Sequence, residues 1–421
     1  MDVVYPLVLF GFFGILAVFV CARSVAADEQ PWLRLVLSAG LVLRLAMTTM
    51  FAVARSTRVF HEDADGYEYW GLRLAQSWHG LAPPMNPAVS LGQNYGYNYI
   101  AGAVYYVFGQ FSPLLPFLNC VVGIVTIYVI YRLARQFFHP FVARRAALLC
   151  TFIPSMVLWH SVAMKDAVVT LLILIGLSSC VSLKRRFTVL GVVGVGFSIL
   201  ALQPIRFYMS YFVAFAVFLS LVLERGTSVF SGVFKQIFMV AAVVGLLVMA
   251  GVAGRAESDL QDMNLARVSE FRYGMAVTAK SGFDANTDVS TPGRAIVFLP
   301  IGMSELLFAP FPWQLTSMRS ALALPETMLW WFMVPATVRG LRWSMRKRFG
   351  RISPLLLFAG TLTCAYSLVH GNVGSAFRQR AQIFVILFIF SSLGHWLRRC
   401  RKAGLDDTLL LVDEPQPAVA A

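Results

Sequence analysis

Apolar segments of about 20 residues recur along nearly the whole chain. Each is long enough, as a helix, to cross roughly 30 Å of hydrocarbon. Hydrophobic residues make up 58% of the 421 residues and charged residues only 13%, which is far outside the range of soluble domains. The sequence therefore predicts an all-α polytopic integral membrane protein.

The apolar segments predict about 11 transmembrane helices, within a range of 11–13. Two further segments, Tyr97–Phe111 and Ala295–Gln314, fit less well, because one is short and the other contains three prolines. Counting either as a crossing would move a basic cluster across the membrane, so we expect interfacial or re-entrant helices there. The expected spans lie at residues 3–21, 33–54, 112–131, 145–163, 167–183, 187–203, 207–223, 233–253, 322–341, 352–370 and 381–397.

Four basic clusters orient these spans, because Lys and Arg concentrate in cytoplasmic loops. They contain Arg132, Arg135, Arg144 and Arg145; Lys184, Arg185 and Arg186; Arg339, Arg342, Arg346, Lys347, Arg348 and Arg351; and Arg398, Arg399, Arg401 and Lys402. If all four are cytoplasmic, five polar segments share the external side. These segments are 55–96, 164–166, 203–206, 254–293 and 371–379. We expect a multi-pass protein of the inner (cytoplasmic) membrane with its site on the periplasmic or extracellular face.

The same pattern divides the chain into six regions. They are N-terminal transmembrane helices (1–54), an external catalytic loop with interfacial helices (55–111), a central bundle (112–253), an external loop and re-entrant segment (254–321), C-terminal helices (322–400) and a disordered cytoplasmic tail (401–421). The first span is expected to stay uncleaved, since no positive region precedes it.

Several classes of function are excluded by what the sequence lacks. The net charge of +14 comes from short loops between spans, so no nucleic-acid partner is expected. The six cysteines show no metal-ligand spacing, and no Walker A, HExxH or GxSxG context occurs. A divalent metal stays an open possibility, because carboxylates and phosphate could share one.

An acidic cluster follows the second span. Glu62, Asp63, Asp65 and Glu68 lie within seven residues, with Tyr67, Tyr69, Trp70 and Trp78 close by. A carboxylate there could act as general base on an acceptor hydroxyl, and the rings could stack on sugars. The alternative is a solvated acidic loop that keeps its end outside.

Two further groups fall on the same predicted side. Lys165 could hold a phosphate, with Asp166 orienting it and His160 nearby, or the pair could simply cap a helix. Arg206, Arg378 and Arg380 run against the positive-inside bias, so each calls for an anionic partner. Phosphate oxygens would serve, as would the carboxylates of Glu62 and Asp63.

Part of the chain resembles polytopic glycosyltransferases of the GT-C class. The resemblance begins at Asp63-Ala64-Asp65-Gly66-Tyr67 and ends at Lys165-Asp166. Between them it rests on Leu74–Trp78, Asn94–Tyr99, Tyr105–Gly109, Tyr131–Arg135 and Ile153-Pro154. The enzymes that this part resembles use polyprenyl-phosphate sugars and are mannosyltransferase-like. The later segment Gly371–Arg380 is similar to O-antigen and related polysaccharide polymerases instead. The resemblance implies a GT-C-like fold, with the catalytic carboxylate in the first external loop at Asp65 or Asp63.

The function implied by the resemblance is transfer of a sugar from a polyprenyl-phosphate donor to a lipid-linked saccharide, glycan or protein acceptor. Lys165, Arg378, Arg380 and Arg206 would bind the donor phosphate. The acceptor or sugar site would be lined by Glu62, Tyr67, Tyr69, Asp166 and His160. Inversion at the anomeric carbon is the expected outcome. The alternatives are an O-antigen or exopolysaccharide polymerase, or a transporter or flippase of lipid-linked sugars.

Overall fold

A computed structural model describes residues 3–54, 62–86, 94–109, 113–223, 241, 245, 264–279, 281–315 and 318–404. The regular secondary structure of these residues is helical, and an isolated antiparallel bridge joins Gly282 and Asn372. The helices within them are α1 Val4–Arg23, α2 Gln30–Val53, α3 Glu62–Trp78, α4 Gly96–Phe108, α5 Leu114–Arg135, α6 Pro140–Phe152, α7 Pro154–Trp159, α8 Asp166–Arg185, α9 Val189–Ile205, α10 Phe207–Val222, α11 Leu265–Thr278, α12 Pro292–Phe308, α13 Met318–Lys347, α14 Phe349–Val369, α15 Val373–Gln379 and α16 Ala381–Lys402.

Seven of the described helices are long and apolar enough to cross a membrane: α1, α2, α5, α8, α13, α14 and α16. The shorter apolar helices α9 and α10 lie where spans were predicted. The chain is therefore a multi-pass membrane protein, while the count of 11 is not confirmed. The predicted span 233–253 lies outside the described residues except for Ala241 and Gly245, and so does most of the predicted tail.

Burial distinguishes the central helix from the peripheral ones. Every residue of α16 from Ala381 to Gly394 is buried, as expected of a helix that is apolar all round. In α1, by contrast, Val8, Phe12 and Ile15 are exposed. Such side chains face hydrocarbon at no cost in a bilayer, so the exposed apolar surface is the expected lipid face.

The basic clusters meet at one end of the bundle. Arg135 pairs with Glu29 at the start of α2 at 2.8 Å, and Trp396 of α16 stacks on His139, which precedes α6, and on Phe141 in its first turn. Arg185 lies over Phe137. We call this the basic end; the opposite end carries the candidate functional site.

One predicted span is interrupted. The segment expected to cross as 145–163 breaks at Ile153, whose backbone is extended, because Pro154 has no N–H to donate to Cys150. The buried side chain of Arg44 in α2 compensates, donating to the carbonyls of Cys150 at 3.1 Å and Thr151 at 3.3 Å. Glu326 of α13 accepts from the Ser155 N–H at 2.6 Å. The break is thereby satisfied inside the protein, as membrane depth requires.

The predicted acidic loop is also partly helical. Residues Glu62–Trp78 form the amphipathic helix α3, which packs along α4. Gly71 and Gly102 make this close approach possible: a Cβ at Gly71 would lie 2.5 Å from that of Ala101, and one at Gly102 2.9 Å from that of Leu74. The expected short helix near Tyr97–Phe111 is α4, ending at Phe108.

The segment around α11 and α12 is hydrogen-bonded to the residues that follow the C-terminus of α14. Phe283 donates to the Gly371 carbonyl at 2.9 Å, and Val373 donates to the Ser281 carbonyl at 3.0 Å. In α12, the Gly302 backbone lies against the Ser367 carbonyl, where a Cβ would come within 2.1 Å. The described part of the predicted loop and re-entrant region therefore covers α14 and the start of α15.

Candidate functional site

Charged side chains from four parts of the chain meet at the end opposite the basic end. Arg378 of α15 lies 3.0 Å from the Asp63 carboxylate of α3 and 3.1 Å from that of Asp166 at the start of α8. Arg206, between α9 and α10, donates to the other oxygen of Asp166 at 3.0 Å. Together with Lys165, which precedes Asp166, we call these residues the charged cluster.

Exposure changes systematically across the charged cluster. The side chains of Arg206 and Asp166 are almost inaccessible, at 3% and 5% of their full surface. Arg378 retains 21%, and Asp63 retains 55%. The alternating chain Asp63–Arg378–Asp166–Arg206 therefore runs from solvent into the protein. A ligand arriving from outside would meet Asp63 and Arg378 first.

Lys165 is the cation of the charged cluster without a direct carboxylate partner. Its ammonium makes no ion pair or side-chain hydrogen bond with any described residue, although Asp166 is its chain neighbour. Burial lowers the pKa of Lys165 to about 8, and the nearby Arg206 charge contributes in the same direction. An anion at this position would relieve both effects.

For Arg378, burial disfavours the charged form, but the carboxylates of Asp166 and Asp63 outweigh it and raise the pKa of the guanidinium. Arg206 also keeps one buried guanidinium nitrogen, Nη1, without a hydrogen-bond partner among the described residues. Such a group is costly to leave unsatisfied and suits a bound oxygen. The charged cluster thus retains donor capacity beyond its internal ion pairs.

Asn119 of α5 fixes the turn that presents Lys165 and Asp166. Its side-chain amide donates to the carbonyls of Val162 at 2.6 Å and Met164 at 2.8 Å, and it also contacts the Tyr97 hydroxyl at 3.2 Å. Asn119 is fully buried. Asn119 could not be predicted as a site residue from the sequence, because a single asparagine in an apolar span gives no signal of the turn it will face.

Tyrosines form one wall of the charged cluster. Tyr67 lies one helical turn after Asp63, on the same face of α3, and its ring meets that of Tyr97 edge-on with centroids 4.9 Å apart. Burial raises the pKa of Tyr67, and the negative charges of Asp166 and Asp63 add to the effect. Tyr67 is therefore a neutral hydroxyl beside the carboxylates.

The structure does not bring every predicted site residue to the charged cluster. Asp65 is exposed, because two residues after Asp63 it points about 200° around the helix. Tyr69 shares this orientation; it is 52% exposed and packs on Trp70. The side chain of Glu62 lies outside the described residues.

Arg380 and His160 also point elsewhere. Arg380 is buried and donates to the Ala309 carbonyl and, at 3.0 Å, to Thr327 Oγ1. Burial lowers the pKa of Arg380 to about 10, with Glu326 acting against the shift. His160 is buried, with its Nδ1 2.6 Å from the Met156 carbonyl. Both side chains secure helix junctions.

His370, at the end of α14, lies near Arg206 and Arg378 of the charged cluster. Its ring packs against that of Tyr366 with centroids 4.9 Å apart. Burial lowers the pKa of His370 to about 3, and the charges of Arg206 and Arg378 contribute. A neutral imidazole here adds no further positive charge.

The charged cluster is poorly suited to a metal ion. Within the described ranges, no group of three or more His, Cys, Asp or Glu side chains is placed to hold one. Its two carboxylates, Asp63 and Asp166, are both engaged by Arg378. Arginine and lysine already supply the positive charge that a divalent cation would bring to a phosphate.

Comparisons with known proteins give a structural likeness and no sequence relative. No protein-family model matches the chain, and no curated protein matches it. The chain is structurally similar to the archaeal oligosaccharyltransferase AglB from Archaeoglobus fulgidus, a GT-C membrane glycosyltransferase, in complex with an inhibitory peptide and a dolichol-phosphate. That similarity has a TM-score of 0.42 and 15% identity, over 80% of this chain and 48% of that chain.

The apo form of the Archaeoglobus fulgidus oligosaccharyltransferase gives a TM-score of 0.40 and 13% identity, over 80% of this chain and 48% of that chain. This chain thus spans about half the length of the solved structures it matches.

Proposed function

We propose that this protein is a membrane glycosyltransferase that moves a sugar from a polyprenyl-phosphate donor to an acceptor hydroxyl or amide at the end of the bundle opposite the basic end. The main support for this proposal is that five charged residues from four separate parts of the chain lie together. They are Asp63, Lys165, Asp166, Arg206 and Arg378. Buried charges of this kind in a membrane protein are costly, and they mark functional pathways or sites.

The net charge of the charged cluster favours an anionic ligand. Three cations face two carboxylates, which leaves one positive charge unopposed. Lys165 carries that excess, and Arg206 Nη1 has no hydrogen-bond partner among the described residues. A lipid phosphate entering from the bilayer would satisfy both groups and would also reach Arg378, the more exposed of the two arginines. The leaving phosphate gains negative charge during transfer, so these donors would stabilise the transition state more than the ground state.

Asp63 is the carboxylate best suited to act as general base. It is the accessible one, whereas Asp166 is nearly inaccessible and held by two arginines. In the proposed step the acceptor oxygen or nitrogen bonds to the anomeric carbon, and its proton passes to Asp63. The bond from that carbon to the phosphate oxygen breaks, with its electron pair leaving on the phosphate. Attack opposite the leaving group would invert the anomeric configuration.

The remaining members have supporting roles in this proposal. Asp166 keeps Arg206 and Arg378 charged and aligned, and Arg206 together with Lys165 and Arg378 receives the phosphate. Tyr67 lines the acceptor side next to Asp63. The four basic clusters meet at the other end, and positive-inside bias supports a proposed position of the charged cluster at the external face of the cytoplasmic membrane. The acceptor class is a lipid-linked saccharide, a glycan or a protein.

A polysaccharide polymerase is the second candidate function. It is favoured by the position of Arg378, which comes from the polymerase-like segment Gly371–Arg380 and contacts both carboxylates. Such an enzyme would join two lipid-linked glycans at the same charged cluster. It predicts that replacing Arg378 abolishes chain extension while Asp63 is dispensable.

Purified protein supplied with a radiolabelled polyprenyl-phosphate sugar and a membrane extract containing acceptors tests the proposal. We expect release of polyprenyl phosphate together with a labelled product. Asp63→Asn should lower the rate by about 100-fold, the scale of general-base catalysis, and Asp65→Asn serves as the matched control with near-normal rate. Full transfer by a stably folded protein carrying both substitutions would rule out the assignment of the base. Movement of intact donor across vesicles without product would favour a flippase.

A further inference from the structure

A second group of cations surrounds a cavity at the basic end. The cavity, of about 520 Å³, lies between α6 and α16 and is lined by Phe141, Arg145, His395, Arg398, Arg399 and Lys402. It lies far from the charged cluster along both helices, since α16 begins beside Arg380 and ends at Lys402. None of the proposed transfer chemistry uses these residues.

The described lining carries four permanent cations and no carboxylate. None of the four makes an ion pair with another described residue. Arg145 and Arg399 are close enough that their like charges repel. Arg145 Nε and His395 Nε2 are both buried without a hydrogen-bond partner in the described part of the chain. Unpaired donors and crowded cations both call for an anion.

Aromatic packing positions the Arg399 side chain in the wall of the cavity. Arg399 lies over the Phe141 ring at 4.9 Å from its centroid. Phe141 stacks on Trp396 at 4.9 Å, and Trp396 stacks on His139 at 4.5 Å with the rings 8° from parallel. The guanidinium is therefore positioned by stacking, so it need not be ordered when an anion binds.

The depth of the cavity identifies the kind of anion. The apolar part of α16 ends at the cavity, where the run of basic residues begins, and this is the level of phospholipid headgroups for a spanning helix. Basic pockets between transmembrane helices on the cytoplasmic side suit the phosphates of anionic lipids. We propose that this cavity binds the phosphate headgroup of an anionic phospholipid in the leaflet at the basic end.

Native mass spectrometry of the purified full chain with phosphatidylglycerol or phosphatidylethanolamine tests the proposal. We expect retention of phosphatidylglycerol but not of zwitterionic phosphatidylethanolamine. The triple variant R398Q/R399Q/K402Q should bind phosphatidylglycerol about 100-fold more weakly, because each basic residue near an anionic headgroup contributes roughly fivefold. The single variant R145Q, which removes a wall cation from α6, should lose roughly fivefold.

The matched control is R342Q/R346Q/K347Q, which removes three exposed cations of the same end that do not line the cavity. It should bind phosphatidylglycerol like the wild type. Equal loss in both triple variants would overturn the site in favour of general surface attraction. Displacement of the lipid by millimolar inorganic phosphate would overturn the lipid assignment in favour of a free-phosphate site.

The sequence offers one competing occupant, since Asp406 and Asp407 follow Lys402 closely. A chain truncated after Gly404 distinguishes it. Unchanged phosphatidylglycerol binding supports the lipid. If truncation strengthens lipid binding more than tenfold, and R398Q/R399Q/K402Q abolishes that gain, the acidic tail is the resident ligand and the proposal is wrong.

Discussion

Both ends of the bundle contain several arginines and lysines, but these cations differ in their burial and in their carboxylate partners. At the charged cluster, Arg206 and Arg378 are largely buried and share the carboxylate of Asp166. At the basic end, Arg398, Arg399 and Lys402 are exposed, and the cavity that they line has no described carboxylate.

The contrast separates two uses of charge in a membrane protein. Exposed cations at one end can orient the chain and attract lipid headgroups without precise geometry. Buried cations held by carboxylates lose solvation, so they persist only where their geometry is well supported. The charged cluster therefore holds its cations in buried ion pairs, whereas the basic end positions Arg399 by stacking on Phe141 and leaves its cations exposed.

The largest effect should come from Asp166→Asn. This change leaves Arg206 and Arg378 without their shared buried partner, and breaking a buried ion pair costs about 3–5 kcal/mol of unfolding free energy. Thermal unfolding of the purified protein measures it. Asp65→Asn, which alters an exposed carboxylate, should stay within about 0.5 kcal/mol of the wild type. Equal unfolding temperatures for the two variants would mean that the ion-pair chain contributes little.

Arg378→Lys should come next, acting on activity more than on stability. Lysine keeps the charge but cannot contact Asp63, Asp166 and a phosphate at once, so we expect transfer to fall about 100- to 1,000-fold. Transfer rates with saturating donor measure this. Arg342→Lys at the basic end is the control and should leave the rate unchanged. A rate close to that of the wild type would remove Arg378 from the phosphate site.

A smaller effect is expected for Asn119→Ala. The change removes the donor to the Val162 and Met164 carbonyls, so the turn bearing Lys165 and Asp166 loses its support. We expect kcat to drop about tenfold, the effect of about 1.4 kcal/mol in the transition state, with a smaller change in KM for the acceptor.

A structural role alone would predict something different for Asn119. In that case unfolding temperature would fall while kcat of the folded fraction stayed normal. Asn119→Ser offers partial rescue, because its hydroxyl can still donate to one of the two carbonyls. Recovery of kcat by serine but not by alanine would tie the effect to the turn.

The mildest test uses pH. The pKa of Lys165 is lowered to about 8, so its ammonium is charged below that pH and is lost as the pH rises through it. Donor affinity should therefore decline by several-fold between about pH 7 and 9, the range spanning that pKa. Arginine stays protonated throughout, so Lys165→Arg should move the decline to higher pH. An unchanged profile in that variant would assign the titration to another group.

Much of this architecture could be predicted from hydropathy and charge. Seven expected spans correspond to helices capable of crossing a membrane, because long apolar runs have few alternatives in a bilayer. The distribution of basic residues also predicted a shared external side for Asp63, Lys165, Asp166, Arg206 and Arg378, and in the structure Arg378 pairs with Asp63 and Asp166 while Arg206 pairs with Asp166. The positive-inside pattern uses only chain order, so it needs no knowledge of contacts.

What could not be predicted depends on helix phase and on tertiary contacts. The choice between Asp63 and Asp65 required knowing that residues 62–78 are helical, since only then do alternate residues point apart. Arg378 and Arg380 looked equivalent for the same reason, yet one enters the charged cluster and the other binds Ala309. The break at Pro154 was not predicted, because the compensating contact joins Arg44 to Cys150, 106 residues away in sequence.

Cysteine cross-linking between positions 63 and 378 tests the account most directly. In a C364S background, which removes the exposed native thiol among the described residues, the variants Asp63→Cys and Arg378→Cys would be made singly and together. The account predicts that an impermeant thiol reagent labels both positions from the same side of intact cells, and that a short bifunctional reagent joins them. Labelling of the two positions from opposite sides of the membrane would contradict it.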